Sequence, residues 1–129
     1  MSPGQIGFED IEWQSTPHDG VFVSLLEEVK GSPAPEATAH AVRLDPNCEI
    51  GLHYHQREEN WTELLLFPNG GDFEFQRGDQ LTKYSTLYLV YERMNPREVY
   101  GMRNKSHLPL YFFSIMKPGF TGFQEIIEV

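Results

Sequence analysis

The sequence predicts an all-β domain, a sandwich or barrel of short strands, and three observations carry that expectation. Short apolar and aromatic runs recur at near-regular spacing along the chain, several of them alternating apolar with polar residues. Eleven glycines and nine prolines separate these runs, which suits tight turns. No segment keeps a helical apolar repeat long enough to argue for a helix. A chain of 129 residues is one domain able to bury a core of its own.

Residues 1–20 read as an N-terminal arm. They are polar and interrupted by Pro3, Gly4, Pro17 and Gly20, with isolated apolar residues at Ile6, Phe8, Ile11 and Trp13 and room for one short strand. Val21 to Leu26 is the first clear strand, closed by Glu27 and Glu28. Pro33 and Pro35 then make residues 31–35 a loop, because neither can donate to a ladder. Thr38 to Leu44 is a second strand, Glu49 to His55 a third and Trp61 to Phe67 a fourth.

Pro68-Asn69-Gly70-Gly71 is a hairpin turn, since Asn-Gly supplies the positive φ it needs. Asp72 to Gln76, Leu81 to Tyr84, Leu87 to Tyr91, Val99 to Arg103 and Leu110 to Met116 follow as strands five to nine. Residues 119–129 are apolar enough to dock on the domain of residues 21–118 as a short strand or turn. The sequence contains no internal repeat, heptad or low-complexity tract.

A formal net charge of −9 opposes binding to nucleic acid or to an anionic membrane, both of which require a basic face. Cys48 is the single cysteine, which excludes an intrachain disulfide and a thiolate zinc cluster and makes a reducing cytoplasm the expected compartment. Met1 to Asp10 lacks the basic start and apolar run of a secretory signal, and no run reaches the length of a membrane span.

The chemistry concentrates in His53-Tyr54-His55. On a strand, residues i and i+2 share a face, so both imidazoles aim at one point. Carboxylates follow at Glu58, Glu59 and Glu63. Imidazole with carboxylate suits Fe, Mn, Zn, Ni or Cu, and two histidines with one carboxylate suit non-haem iron. The competing reading is a polar pair on a solvated face.

From this point the order of residues resembles the cupin superfamily, whose members are single-domain jelly-roll β-barrels. Its first motif runs glycine, five residues, His-x-His, a few residues, glutamate, six residues, glycine. Its second runs glycine, five residues, Pro-x-Gly, two residues, histidine, three residues, asparagine. Here Pro46-Asn47 stands near the opening of the first motif, followed by His53-x-His55, and Glu63 lies ahead of Gly70. Asn104 and the stretch Leu108 to Phe113 resemble the end of the second.

Three departures matter. Asn47 replaces the opening glycine, a mild change because asparagine tolerates left-handed backbone. Glu59 fits the spacing from the histidines and Glu63 the spacing to the glycine, and the sequence does not choose between them. The second-motif histidine is replaced by Tyr100, a costly metal ligand at neutral pH given a phenol pKa near ~10.

The resemblance implies a barrel cavity holding a divalent metal (Fe, Mn, Ni or Zn) on His53, His55 and Glu59 or Glu63, with a small organic metabolite beside it. Trp61, Leu65, Phe67, Tyr88, Val90, Tyr100, Met102, Phe112 and Ser114 are candidates for the cavity wall, and His40 for an auxiliary position. His107 falls in a turn after Asn104. An oxygenase or isomerase follows by resemblance, with Tyr100 and Glu63 as catalytic groups. The alternative is a non-catalytic binding or sensing module whose metal site is degenerate. The arm is expected to pair with an edge strand of a second subunit in a homodimer.

Overall fold

The computed structural model describes residues 7–129; Ile6 of the arm lies outside them. The described residues form eleven strands: β1 (Gln14–Ser15), β2 (Val21–Val29), β3 (Ala37–Leu44), β4 (Glu49–His55), β5 (Thr62–Phe67), β6 (Gly71–Arg77), β7 (Gln80–Thr86), β8 (Val90–Met94), β9 (Tyr100–Asn104), β10 (Leu110–Lys117) and β11 (Ile126–Glu128). Two short 3-10 turns, Phe8–Asp10 and Phe123–Glu125, are the only helical elements among the described residues. Among the described residues no helix is long and apolar enough to cross a membrane.

The strands form two antiparallel sheets, β1-β2-β3-β10-β5-β8 and β11-β4-β9-β6-β7. Alternation decides what each strand buries. In β5, Glu63, Leu65 and Phe67 point inward, and in β10 Leu110, Phe112, Ser114 and Met116 do so. The inner faces meet in a core of Leu44, Leu65, Phe67, Phe73, Phe75, Met94, Met102 and Phe112 among others. Phe67 stacks between Phe73 and Phe112, with ring centroids 4.4 and 4.8 Å away, and this aromatic block fills one part of the interior.

Local signals act as the sequence suggests. Asn47 adopts φ 60°, the left-handed conformation that the turn before β4 requires. Asn104, fully buried, donates to the carbonyls of Leu44 and Leu108 and ties the end of β9 to the neighbouring loops.

One strand boundary changes. The strand expected at Leu87 to Tyr91 begins instead at Val90, because Thr86 Oγ1 accepts the Tyr88 N–H and bends the chain outward. Tyr88 is consequently 84% exposed and lines no cavity. The arm's apolar residues, in turn, are used within the chain. Phe8 stacks on Tyr111 at 4.6 Å, Trp13 packs on the same ring, Ile11 is buried, and β1 pairs with β2 as Gln14↔Val23.

Candidate functional site

Between the two sheets lies a cavity of about 110 Å³, partly open to solvent, and residues from both reach it. His53 and His55 come from β4, Tyr100 from β9, Glu63 from β5, Ser114 from β10 and His40 from β3. Apolar walls are supplied by Val21, Val23, Val42, Leu65, Met102, Phe112 and Met116. Thr16 and His18 from the N-terminal segment and Phe120, Phe123, Ile126 and Glu128 from the C-terminal segment complete the rim. There His18 Nε2 lies 3.4 Å from Glu128 Oε1, both side chains well exposed.

A β-bulge sets the first histidine. The pairing of β4 with β9 shifts register between Ile50 and His53, where Gly101 of β9 passes so close that a Cβ would lie 2.7 Å from the Ile50 carbonyl oxygen. The bulge brings the Gly51 carbonyl to 2.7 Å from His53 Nδ1. A carbonyl only accepts, so Nδ1 carries the proton and Nε2 holds the lone pair. Burial pushes the His53 imidazole below its usual range, opposed in part by this bond.

His55 is oriented by a carboxylate. Its Nδ1 lies 2.5 Å from Oε2 of Glu125, in the 3-10 turn before β11. The other oxygen of Glu125 accepts from Arg57 Nη1 at 3.0 Å and from the backbone N–H and hydroxyl of Thr121, both at 2.9 Å. Burial alone would raise the Glu125 carboxyl; the bonds from His55 and Thr121 outweigh it and hold the group below the usual range. Trp61 stacks behind the His55 ring at 4.9 Å, buried but off the cavity wall.

Glu63, 2% exposed, accepts from Tyr100 Oη at 2.6 Å on one oxygen and from Ser114 Oγ at 2.5 Å on the other. Burial, with the Glu63 charge beside it, pushes the Tyr100 hydroxyl well above its usual range, so it remains a phenol. His55 Nε2 stands 3.4 Å from Tyr100 Oη and 3.6 Å from Glu63 Oε1. His53 packs its ring 4.4 Å from that of Tyr100. The His40 imidazole is also pushed down, by burial first, with the Glu63 charge opposing.

Of the candidate residues, His53, His55, Glu63, Tyr100, Met102, Phe112, Leu65 and Ser114 converge on the cavity. Glu59 does not. The turn closed by Trp61 N–H on the Glu58 carbonyl precedes β5, so Glu59 falls outside the alternation that carries Glu63 inward, and it is exposed. Phe67 and Val90 belong to the packed core, and His107 is exposed in the bend after β9. Sequence reasoning missed Glu125 and Arg57. The docking segment 120–129 carries two carboxylates, Glu125 and Glu128, and nothing in the pattern singles out the first.

The donor set suits a divalent cation. Both imidazoles commit Nδ1–H to an oxygen acceptor and keep the lone pair on Nε2, the arrangement in which histidine ligates metals. Three electron-rich atoms (His55 Nε2, Glu63 Oε1 and Tyr100 Oη) meet with the phenolic proton alone between them. Among the described residues, no three His, Cys, Asp or Glu side chains already stand at metal-holding separations.

No protein-family model matches the chain, and no curated protein sequence does. Solved structures do. KdgF from a Halomonas species superposes with a TM-score of 0.67 at 13% identity, covering 93% of this chain and 97% of that one. An RmlC-like cupin from Shewanella frigidimarina gives 0.66 at 14%, covering 95% and 96%. A sugar phosphate isomerase of the cupin superfamily from Silicibacter pomeroyi gives 0.60 at 14%, covering 88% and 75%. The fold is therefore that of the cupins, a double-stranded β-helix.

Proposed function

We propose, from the cupin fold and the donor set inside it, that this chain binds a divalent metal on His53, His55 and Glu63 and isomerises a small organic molecule held in the barrel by proton transfer. The observation that carries the reading is the shared tautomer of the two histidines, each fixed through Nδ1 by a separate acceptor. A metal bound there would supply Lewis-acid polarisation of a ligand oxygen.

The chain's own groups supply the rest. Tyr100, kept protonated, is positioned as a proton donor, and Glu125 fixes the His55 ring as a ligand through its Nδ1–H. Ser114 holds the second Glu63 oxygen, and the apolar walls exclude water from the ligand. A protonated phenol beside the donor set suits proton transfer, and a fold neighbour named as an isomerase is consistent with that reading.

The test is the metal content of protein purified without a polyhistidine tag. Near-stoichiometric Mn, Fe, Ni or Zn, lost in His53→Ala, supports the reading; no metal after soaking at neutral pH overturns it. The alternative is a non-catalytic binding module. It is favoured by one observation, that both Glu63 oxygens already accept hydroxyl donors without a metal.

A further inference from the structure

The chemistry of the cavity wall selects its ligand; the inference rests on the reading above that this cavity is the ligand site. We propose that the barrel takes an uncharged, largely apolar molecule about one ring in size, with an oxygen function at one end, and that it excludes phosphorylated, carboxylated and polyhydroxylated metabolites.

Charge is the first argument. Among the described residues, no lysine or arginine lines the cavity, while Glu63 stands inside it and Glu128 at its rim. Arg57 lies off the cavity wall and is spent on Glu125, Glu58 and the Gly119 carbonyl. In metal-free protein an anionic ligand would lose its hydration to a wall that offers carboxylates and no lysine or arginine, a cost that low dielectric magnifies.

The distribution of polar groups is the second. Val23, Val42, Leu65 and Phe112 line the cavity from one sheet and Met102 from the other, while His53, Tyr100, Glu63 and Ser114 form one contiguous polar group. A sugar carries hydroxyls all round its ring, so those turned to the apolar side chains would be buried without partners. A ring with a single hydroxyl or carbonyl satisfies its one polar group and buries the rest. A volume of about 110 Å³ agrees, since engineered apolar cavities of this order accept one benzene-sized molecule.

The experiment is calorimetric titration of the full chain, metal-free and metal-loaded, with phenol, cyclohexanone, glucose phosphate and inorganic phosphate. Phenol or cyclohexanone should bind at least tenfold tighter than glucose phosphate in the metal-free form. Val23→Phe, which fills the cavity from a half-buried position on β2, should weaken that binding at least tenfold while the circular dichroism spectrum is kept. If that variant does not fold, Val42→Phe and competition by cyclohexanone against phenol give the same readout. Failure of both neutral probes to bind, binding indifferent to the cavity-filling variants, or glucose phosphate binding the metal-free form as tightly as phenol would overturn the proposal. Neutral-probe binding in protein that takes up no metal would sink the metal site and leave the ligand class standing; metal uptake, with tight glucose phosphate binding to the metal-free form, would do the reverse.

Discussion

Replacing Glu125 by alanine tests the network behind His55. The carboxylate accepts from His55 Nδ1, Arg57 Nη1 and both donors of Thr121, and it is 5% exposed. Truncation leaves the buried Arg57 guanidinium and the His55 N–H without their shared acceptor. Removing one partner of a buried charged pair costs about 3–5 kcal/mol. Arg57 keeps Glu58 and the Gly119 carbonyl, which places the expected loss near the lower end, about 3 kcal/mol.

At roughly 2.1 cal/mol/K of unfolding entropy per residue, a chain of 129 residues loses about 11 °C of melting temperature for that change. Differential scanning calorimetry of metal-free protein reads it directly. Glu125→Gln, which keeps the volume and one acceptor, should lose less. In an Arg57→Ala background the cost of Glu125→Ala should shrink by more than about 1 kcal/mol, because the two share one interaction. A drop of less than about 4 °C, or no coupling to Arg57, would refute the network as the support of His55.

Three further outcomes follow from particular contacts. Tyr100→His should tighten divalent-metal binding measured by titration, because it places a neutral imidazole where a phenol holds its proton; unchanged or weaker binding would mean position 100 does not face the metal site. Burial and the Glu92 carboxylate 2.6 Å away push the Tyr84 phenol up to about 12, from 10.0, so its stabilisation is full below pH 10 and lost as pH rises toward 12. Denaturant melts should show a shallower alkaline loss in Tyr84→Phe than in wild type, and identical slopes would contradict the contact. Gly101→Ala should destabilise by about 1–3 kcal/mol, since its Cβ would press on the Ile50 carbonyl, and a neutral result in urea melts would deny the close strand approach at the bulge.

The barrel was legible because period-two alternation states which side chains face inward. Glu63-x-Leu65-x-Phe67 and Leu110-x-Phe112-x-Ser114-x-Met116 need only an extended backbone to place Glu63 and Ser114 in the interior. The same logic misplaces residues where the extension breaks. Glu59 shares the parity of Glu63, but the intervening turn removes it from the strand. Tyr88 sits in an apolar run that resembles a strand until the Thr86 side chain captures its N–H.

Glu125 was illegible for a different reason. It reaches His55 across seventy positions of sequence, through docking of a terminal segment whose periodicity is too short to read. The bulge at Gly51 is likewise a tertiary event, since the tight contact comes from Gly101 on another strand. Both residues that orient the imidazoles were thus invisible in the pattern that revealed the imidazoles themselves.

The decisive measurement is nitrogen-15 NMR of the histidine rings in metal-free protein, followed by titration with zinc. Both His53 and His55 should show the Nδ1–H tautomer, and both Nε2 signals should shift together at one equivalent of metal. Nε2–H tautomers, or Nε2 signals that zinc leaves in place, would contradict the site.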